Sequence, residues 1–145
     1  MFKYFLVISL FSFSVVMAQP GKAKYDIADA DEHYSHHNFL MALPIYKELL
    51  KGDKNNASIH YKIAECYLNT NIDKSEAIKY LEFCAKDPKV ESNVWLRLGY
   101  AYRLSNKIDD AIKAFEKYKE LEPKKKKIAD RELEICNNAK TLMLN

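Results

Sequence analysis

The sequence predicts an all-α protein, a superhelix of about three helical hairpins followed by a C-terminal capping helix. After the first twenty residues, apolar side chains recur at helical spacing, and no segment alternates as a half-buried strand would. Clusters of Gly, Asp, Asn, Lys and Pro interrupt this pattern at short intervals. Because the resulting connections are short, helices that follow one another in the chain should pack antiparallel.

The breaks delimit seven predicted helices, which form three hairpins and one final helix: 22–35, 39–51, 57–69, 74–86, 91–104, 108–121 and 125–142. We expect one domain at 22–142, with hairpins at about 22–55, 57–90 and 92–125 and a capping helix at about 125–142. Asn56 stands immediately before the third helix, where an asparagine is a favourable N-cap.

The third hairpin carries a spaced set of residues that the other hairpins share in part. Its members are Trp95, Leu98, Gly99, Tyr102, Ala111, Phe115 and Pro123. In the second hairpin the same places hold His60, Ile63, Ala64, Tyr67, Ala77, Leu81 and Pro88. The first hairpin keeps Ala42 and Tyr46 at the alanine and aromatic places, and Asp26 stands where the tryptophan would be. This spacing, with a period of about 34 residues, resembles the tetratricopeptide repeat (TPR) signature. The resemblance implies a curved array in which the first helix of each hairpin lines the concave side.

The spacing also has a packing explanation. Glycine inside a helix costs about 1 kcal/mol relative to alanine, so Gly99 should serve a close contact. We expect the two helices of the third hairpin to approach most closely at Gly99 and Ala111, and those of the second at Ala64 and Ala77.

The first eighteen residues predict a cleaved secretory signal. Lys3 precedes an apolar run at 5–16, and small residues precede the expected cleavage after Ala18. The run is shorter than the roughly 20 residues that span a bilayer, so a retained membrane anchor is the less favoured alternative. We therefore expect an exported, periplasmic protein that begins at Gln19 and has no transmembrane anchor after cleavage, with association to the outer membrane through a partner as a further possibility. Its small net positive charge, +3 for the whole chain, predicts no nucleic-acid partner.

The last predicted helix lacks the repeat signature and has a wide polar face. Repeat arrays need such an atypical end, because the last hairpin otherwise exposes its stacking surface. Lysines Lys124–Lys127 precede it, although cations at a helix N-terminus oppose the helix dipole. They are expected to form a solvated face, and contact with an anionic envelope polymer or lipid headgroups is the alternative.

Several longer stretches resemble one group of exported Bacteroidota envelope proteins. These stretches are ADEHYSHHNFLMALPIYKELLKGDKNN, YKIAECYLNTN, FEKYKELEP and EICNNAK. In that group a TPR region precedes β-propeller repeats and an OmpA-like peptidoglycan-binding domain, and some members are associated with type IX secretion and gliding. The resemblance implies either a stand-alone envelope TPR protein or the first module of such an assembly. Residues of a propeller or of a peptidoglycan-binding domain are not found in this sequence.

No Gly-rich phosphate loop or catalytic constellation is recognisable, so we expect no enzyme and no cofactor. A metal-dependent site at His33, His36 and His37 is the alternative function, because their i, i+3, i+4 spacing could present imidazoles together. A thiol-dependent site at the cysteines is the second version of this alternative function. The three cysteines are Cys66, Cys84 and Cys136. We expect them instead to be small buried side chains, and one disulfide between two of them is the alternative.

The expected function is a non-enzymatic protein-interaction scaffold, whose partner is another envelope protein or a peptide segment, with self-association also possible. The helical phase assigns seven outward residues to its concave face: Tyr34, Tyr61, Glu65, Leu68, Arg97, Tyr100 and Arg103. Aromatic and arginine side chains are the usual anchors of a binding surface. TPR domains that clamp a C-terminal carboxylate use other residues at most of the corresponding places, where only Arg97 matches, so a carboxylate clamp is not expected.

Overall fold

The computed structural model describes residues 26–143, which form seven α-helices. Their bounds are α1 Ile27–Ser35, α2 Phe39–Gly52, α3 Ala57–Leu68, α4 Glu76–Ala85, α5 Ser92–Leu104, α6 Ile108–Leu121 and α7 Lys126–Met143. A short 3₁₀ turn, Pro123–Lys125, leads into α7. The described residues contain no strand, and the predicted all-α class is confirmed. The predicted signal at 1–18 lies outside them.

Helix starts follow local capping chemistry. α1 begins at Ile27, five residues later than predicted, because the Asp26 carboxylate accepts hydrogen bonds from the backbone N–H groups of Ala28 and Asp29. The Asp29 carboxylate in turn accepts from the Asp26 N–H, which completes a capping box. Asn56 caps α3 as expected, since its side-chain oxygen accepts from the N–H of Ile59.

Each helix packs against the helices before and after it in the chain, from α1 to α7. Three hairpins, α1/α2, α3/α4 and α5/α6, therefore stack in sequence, and α7 packs on α6. The interior is built from small residues where helices meet and larger ones between them. Fully buried members include Ala30, Ala42, Ala64, Ala77, Ala111, Ile63, Leu81, Tyr46 and Phe115.

Gly99 of α5 lies in close contact with the aromatic ring of Phe115 on α6. A Cβ added at Gly99 would lie 2.5 Å from Cε1 and 2.6 Å from Cδ1 of the Phe115 ring. The atoms nearest to such a Cβ all belong to the Phe115 ring, so this ring occupies the space that a side chain at position 99 would need. Trp95 and Tyr102 are partly buried and pack against the main core.

α7 buries one side and exposes the other, as a terminal helix should. Ala129, Glu132 and Cys136 are buried on its inner side. Lys119 and Asp109 of α6 pair with Asp130 and Lys140 of α7, so α7 runs antiparallel to α6. Within residues 26–143, no helix is both long enough and apolar enough to cross a bilayer.

The Gly99 contact predicts an inverted glycine-to-alanine effect. In an open helix, Gly→Ala raises stability, whereas Gly99→Ala should lower it by about 1–3 kcal/mol because the methyl group overpacks against Phe115. Urea unfolding followed by circular dichroism measures the difference.

Gly52→Ala is the matched control, since nothing lies within 4 Å of a Cβ there. It should be neutral or stabilising by up to about 1 kcal/mol. Adding Phe115→Leu to Gly99→Ala should recover part of the loss. If Gly99→Ala were as stable as the wild type, the Phe115 contact would not be what requires glycine.

Candidate functional site

The seven residues predicted for the concave face lie on the first helices of the hairpins. Tyr34 is on α1, residues Tyr61, Glu65 and Leu68 are on α3, and residues Arg97, Tyr100 and Arg103 are on α5. Six of them are partly buried. Glu65 is the exception, at 5% exposed. It is a buried ion-pair partner rather than the outward contact that the helical phase predicted, and the contacts below give the reason.

Two acid–base pairs join successive first helices at equivalent positions. Lys62 Nζ of α3 lies 2.5 Å from Asp31 Oδ1 of α1. Arg97 Nε of α5 lies 3.0 Å from Glu65 Oε1 of α3. Asp31 and Glu65 stand one repeat apart, and so do Lys62 and Arg97. An acid on one hairpin therefore holds a base on the next, and we call this arrangement the inner ion-pair ladder.

The ladder changes at its C-terminal end. The place of the acid in the third hairpin is taken by Tyr100, and the next acid is Glu132 of α7, which is 3% exposed. Its Oε2 lies 3.4 Å from Arg103 Nε, and its Oε1 lies 3.0 Å from Arg131. One buried carboxylate thus serves two arginines. Sequence reasoning treated α7 as a solvating cap and missed this role of Glu132.

Burial and pairing act against each other in the ladder. Burial raises the pKa of Glu65 above its ordinary value of 4.5, and the charge of Arg97 opposes that rise. Burial lowers the pKa of Arg97, but Glu65 and Tyr61 more than offset it, so the net shift is upward. At Asp31, burial raises the pKa, and the hydrogen bonds from Lys62 and Tyr46 outweigh it, so the net shift is downward.

The tyrosines of the concave face are held by specific contacts. Tyr34 packs edge-on against Phe39 and Tyr46 of α2. The Tyr61 hydroxyl accepts a 2.6 Å hydrogen bond from the Asn93 side-chain amide of α5. Burial raises the pKa of Tyr34 to about 12, so its phenol stays protonated at physiological pH. These contacts fix the side chains before any partner arrives.

Tyr100 is supported on both sides. Its ring packs edge-on against Phe115 of α6, and the Arg103 guanidinium lies 5.9 Å from the ring centroid. Arg103 is thereby held between the Tyr100 ring and the Glu132 carboxylate. The result is a surface of half-exposed aromatic and arginine side chains with little freedom to lose on binding, which favours affinity.

The geometry disfavours a carboxylate clamp, in agreement with the sequence. The two cations at clamp-like places, Lys62 and Arg97, are each held by an acid of the preceding hairpin. Their charges are therefore already compensated before any peptide carboxylate binds.

The histidines proposed as a metal site do not converge. His33 lies in α1, His36 is its C-cap residue, and His37 has a left-handed backbone with φ 59°. The His37 ring packs beside Phe39 instead. Within residues 26–143, no group of three or more His, Cys, Asp or Glu side chains is arranged to hold a metal ion.

The three cysteines are free and buried. Burial raises the pKa of Cys66 to about 12 and of Cys84 to about 11, and it raises the pKa of Cys136 as well. Because the thiolate is the reactive form, these cysteines suit packing better than thiol chemistry.

A cleft of about 680 Å³ lies away from the ladder, at the turns of the first two hairpins. It is lined by His37–Met41 and Asn69–Ile72. Leu40 and Met41 are 63% and 59% exposed there. Sequence reasoning did not single out this feature.

Comparison with known proteins agrees with this architecture. The tetratricopeptide repeat family model matches residues 92–125, which comprise α5, α6 and the 3₁₀ turn. No curated protein matches the chain. The chain therefore contains a tetratricopeptide repeat, and its third hairpin carries it.

Solved structures show the same fold at low sequence identity. The first TPR domain of the human RPAP3 protein superposes with a TM-score of 0.65 at 20% identity, covering 79% of this chain and 88% of that one. MamA superposes with a TM-score of 0.69 at 23% identity, covering 81% of this chain and 66% of that one. The first TPR of Spaghetti (RPAP3), bound to the HSP90 peptide SRMEEVD, gives a TM-score of 0.64 at 20% identity, over 79% and 91% of the two chains. At this identity the likeness shows the fold alone, a TPR-type array of helical hairpins.

The ladder predicts a pH-dependent cost of removing Arg97. Arg97→Met leaves the buried Glu65 carboxylate without its cation. We expect a loss of about 2 kcal/mol at pH 7, below the 3–5 kcal/mol typical of a fully buried pair, because water reaches the Arg97 side chain. Denaturant titrations of both proteins across the acidic range provide the measurement.

The direction in which the stability loss of Arg97→Met changes with pH follows from the raised pKa of Glu65. Its folded carboxyl binds a proton more readily than the unfolded one, so stability falls as pH rises from near 4.5 through the folded pKa. Without Arg97 the pKa of Glu65 is higher still, so the variant loses more stability than the wild type as the pH rises. The deficit should therefore vanish in acid and grow toward neutral pH. The control is Lys79→Met, which removes the exposed Lys79–Glu76 pair and should cost under about 0.5 kcal/mol. A stability loss in Arg97→Met that does not change with pH would contradict the role of Arg97 as the cation that compensates Glu65.

Proposed function

We propose that this protein is a non-enzymatic scaffold that holds a segment of another protein against the concave face of α1, α3 and α5. The inner ion-pair ladder carries the proposal. It fixes successive first helices relative to one another and holds tyrosine and arginine side chains half-exposed on one surface. A preorganised aromatic and arginine surface is a typical binding anchor.

The peptide complex of the Spaghetti (RPAP3) neighbour supports a peptide as occupant, since a domain of this fold accommodates one. The chemistry should differ from that of the acidic peptide SRMEEVD. Here Lys62 and Arg97 are already neutralised by Asp31 and Glu65, so apolar and aromatic contacts should contribute most of the affinity at the first two hairpins.

We place this scaffold in the bacterial envelope, as a stand-alone component or the first module of an OmpA-like, type IX secretion-associated assembly. The support is the predicted signal at 1–18 and the sequence resemblance to exported Bacteroidota proteins. Mass spectrometry of the protein recovered from the periplasmic fraction should give a mature chain that begins at Gln19. Recovery of the uncleaved chain from the cytoplasm would overturn the location without affecting the scaffold.

The scaffold is tested by partner capture with surface variants. Tyr61→Ser together with Leu68→Ser removes apolar contacts from the concave face and keeps all four charged residues of the ladder. Crosslinked pull-down from envelope fractions should lose the partner by about tenfold or more with this variant.

The matched control is Leu40→Ser together with Leu121→Ser, which alters exposed leucines of the second helices α2 and α6. It should capture the partner as the wild type does. Thermal melts confirm that both variants fold. Equal capture by the concave-face variant and the control would exclude this face as the binding site.

A further inference from the structure

α7 exposes an unpaired stripe of aliphatic side chains. Ile128, Ile135 and Leu142 are 37%, 41% and 78% exposed. They stand seven residues apart, and a heptad step rotates the position by only about 20° on a straight helix. The three side chains therefore form one continuous strip about 21 Å long on a single face of α7. We call this strip the α7 stripe.

The ion pairs of α7 show which way the stripe faces. Asp130 and Lys140 pair with α6, whereas Glu132 pairs with Arg103 of α5. Ile128 and Ile135 stand four residues before and three residues after Glu132, so they share its side of the helix. The stripe thus lies on the flank of α7 toward α5 and extends the surface that carries Tyr100 and Arg103.

The charges around the stripe are mainly positive. Arg103 and Arg131 share the single carboxylate of Glu132, and the Arg131 side chain is 70% exposed. Lys124, Lys126 and Lys127 are exposed and form no ion pair among the described residues. Glu134 is the remaining exposed acid on α7 beside the paired Asp130. Cations at a helix N-terminus also oppose the helix dipole, so an anionic partner would relieve an unfavourable arrangement.

We propose that the α7 stripe binds an acidic amphipathic helix of another protein, whose apolar side chains cover the stripe and whose carboxylates meet Arg131, Lys124 and Lys127. This inference rests on the proposed scaffold function and names the chemistry of its partner. Apolar side chains at helical spacing in a partner match a strip of this length. The excess of positive charge selects acidic flanks over basic ones.

A second copy of the chain fits this surface less well. Parallel pairing of two α7 helices would set lysines against lysines. Antiparallel pairing would set them against a C-terminal half that offers Asn137, Asn138 and Thr141. A bilayer also fits poorly, because the stripe has no aromatic anchor and lies on the flank toward α5.

The test uses two fluorescent synthetic helical peptides about four turns long, with the same leucine spacing and either glutamate or lysine at the polar positions. Fluorescence anisotropy with the full chain should show binding of the glutamate peptide that weakens as salt increases. Ile135→Gln should weaken it by about tenfold or more. Lys124→Glu together with Lys127→Glu should weaken it and flatten the salt dependence.

Ile72→Gln is the matched control, because Ile72 is an exposed isoleucine of similar accessibility, 39%, in the cleft at the hairpin turns. It should leave binding unchanged. The proposal is overturned if neither peptide binds, if the lysine peptide binds equally well, or if Ile72→Gln weakens binding as much as Ile135→Gln does. Sedimentation that shows a dimer lost in Ile135→Gln, or binding to anionic phospholipid vesicles without peptide binding, also overturns it.

The two proposals fail in different ways. If the envelope partner is lost with the concave-face variant but retained with Ile135→Gln, the scaffold stands and the stripe is not its contact. The opposite result is also possible: Ile135→Gln weakens binding of the glutamate peptide, while partner capture is unchanged in the Tyr61→Ser, Leu68→Ser variant. In that case the proposal for the α7 stripe stands, and the concave face of α1, α3 and α5 is not the binding site.

Discussion

The close approach of paired helices is the constraint on which the rest of this structure depends. At Gly99 the aromatic ring of Phe115 occupies the space of a side chain, and fully buried alanines stand at the corresponding helix contacts of the other hairpins. Small residues at these places let larger ones fill the interior on either side. Because each hairpin is closed in this way, the hairpins can stack in one dimension, with the most extensive packing between successive helices.

The close helix contact within one hairpin does not by itself fix the position of the next hairpin. Between hairpins, the first helices are joined by Asp31–Lys62 and Glu65–Arg97. The Glu65 carboxylate is buried and would be costly without its cation, so the Glu65–Arg97 pair favours one relative position of its two hairpins over the alternatives. The same pairs set the properties of the surface. They neutralise the cations that would attract a peptide carboxylate and leave tyrosines and leucine as the accessible contacts of the first two hairpins.

The fold was predictable because its determinants are local. The spacing of Trp95, Leu98, Gly99 and Tyr102 along one helix reports its packing face, and the structure follows it. The burial of Glu65 was harder to predict. The helical phase alone assigned this residue to the surface, whereas in the structure it is buried and paired with Arg97 of the next hairpin. Its signal was present in the recurrence of an acid at Asp31 and Glu65. Glu132 had no such signal, because Arg103 lies on another helix and only the packing of α7 brings them together.

The end of the ladder separates the two halves of the concave surface chemically. Along the ladder each base has its own acid, so the ladder itself carries no net charge. At the third hairpin Tyr100 replaces the acid, and Glu132 must serve both Arg103 and Arg131. The positive charge that remains there adjoins the lysines before α7 and the aliphatic stripe along it. A partner that spans the whole surface should therefore present apolar and aromatic groups to α1 and α3, and acidic groups with aliphatic side chains to α7.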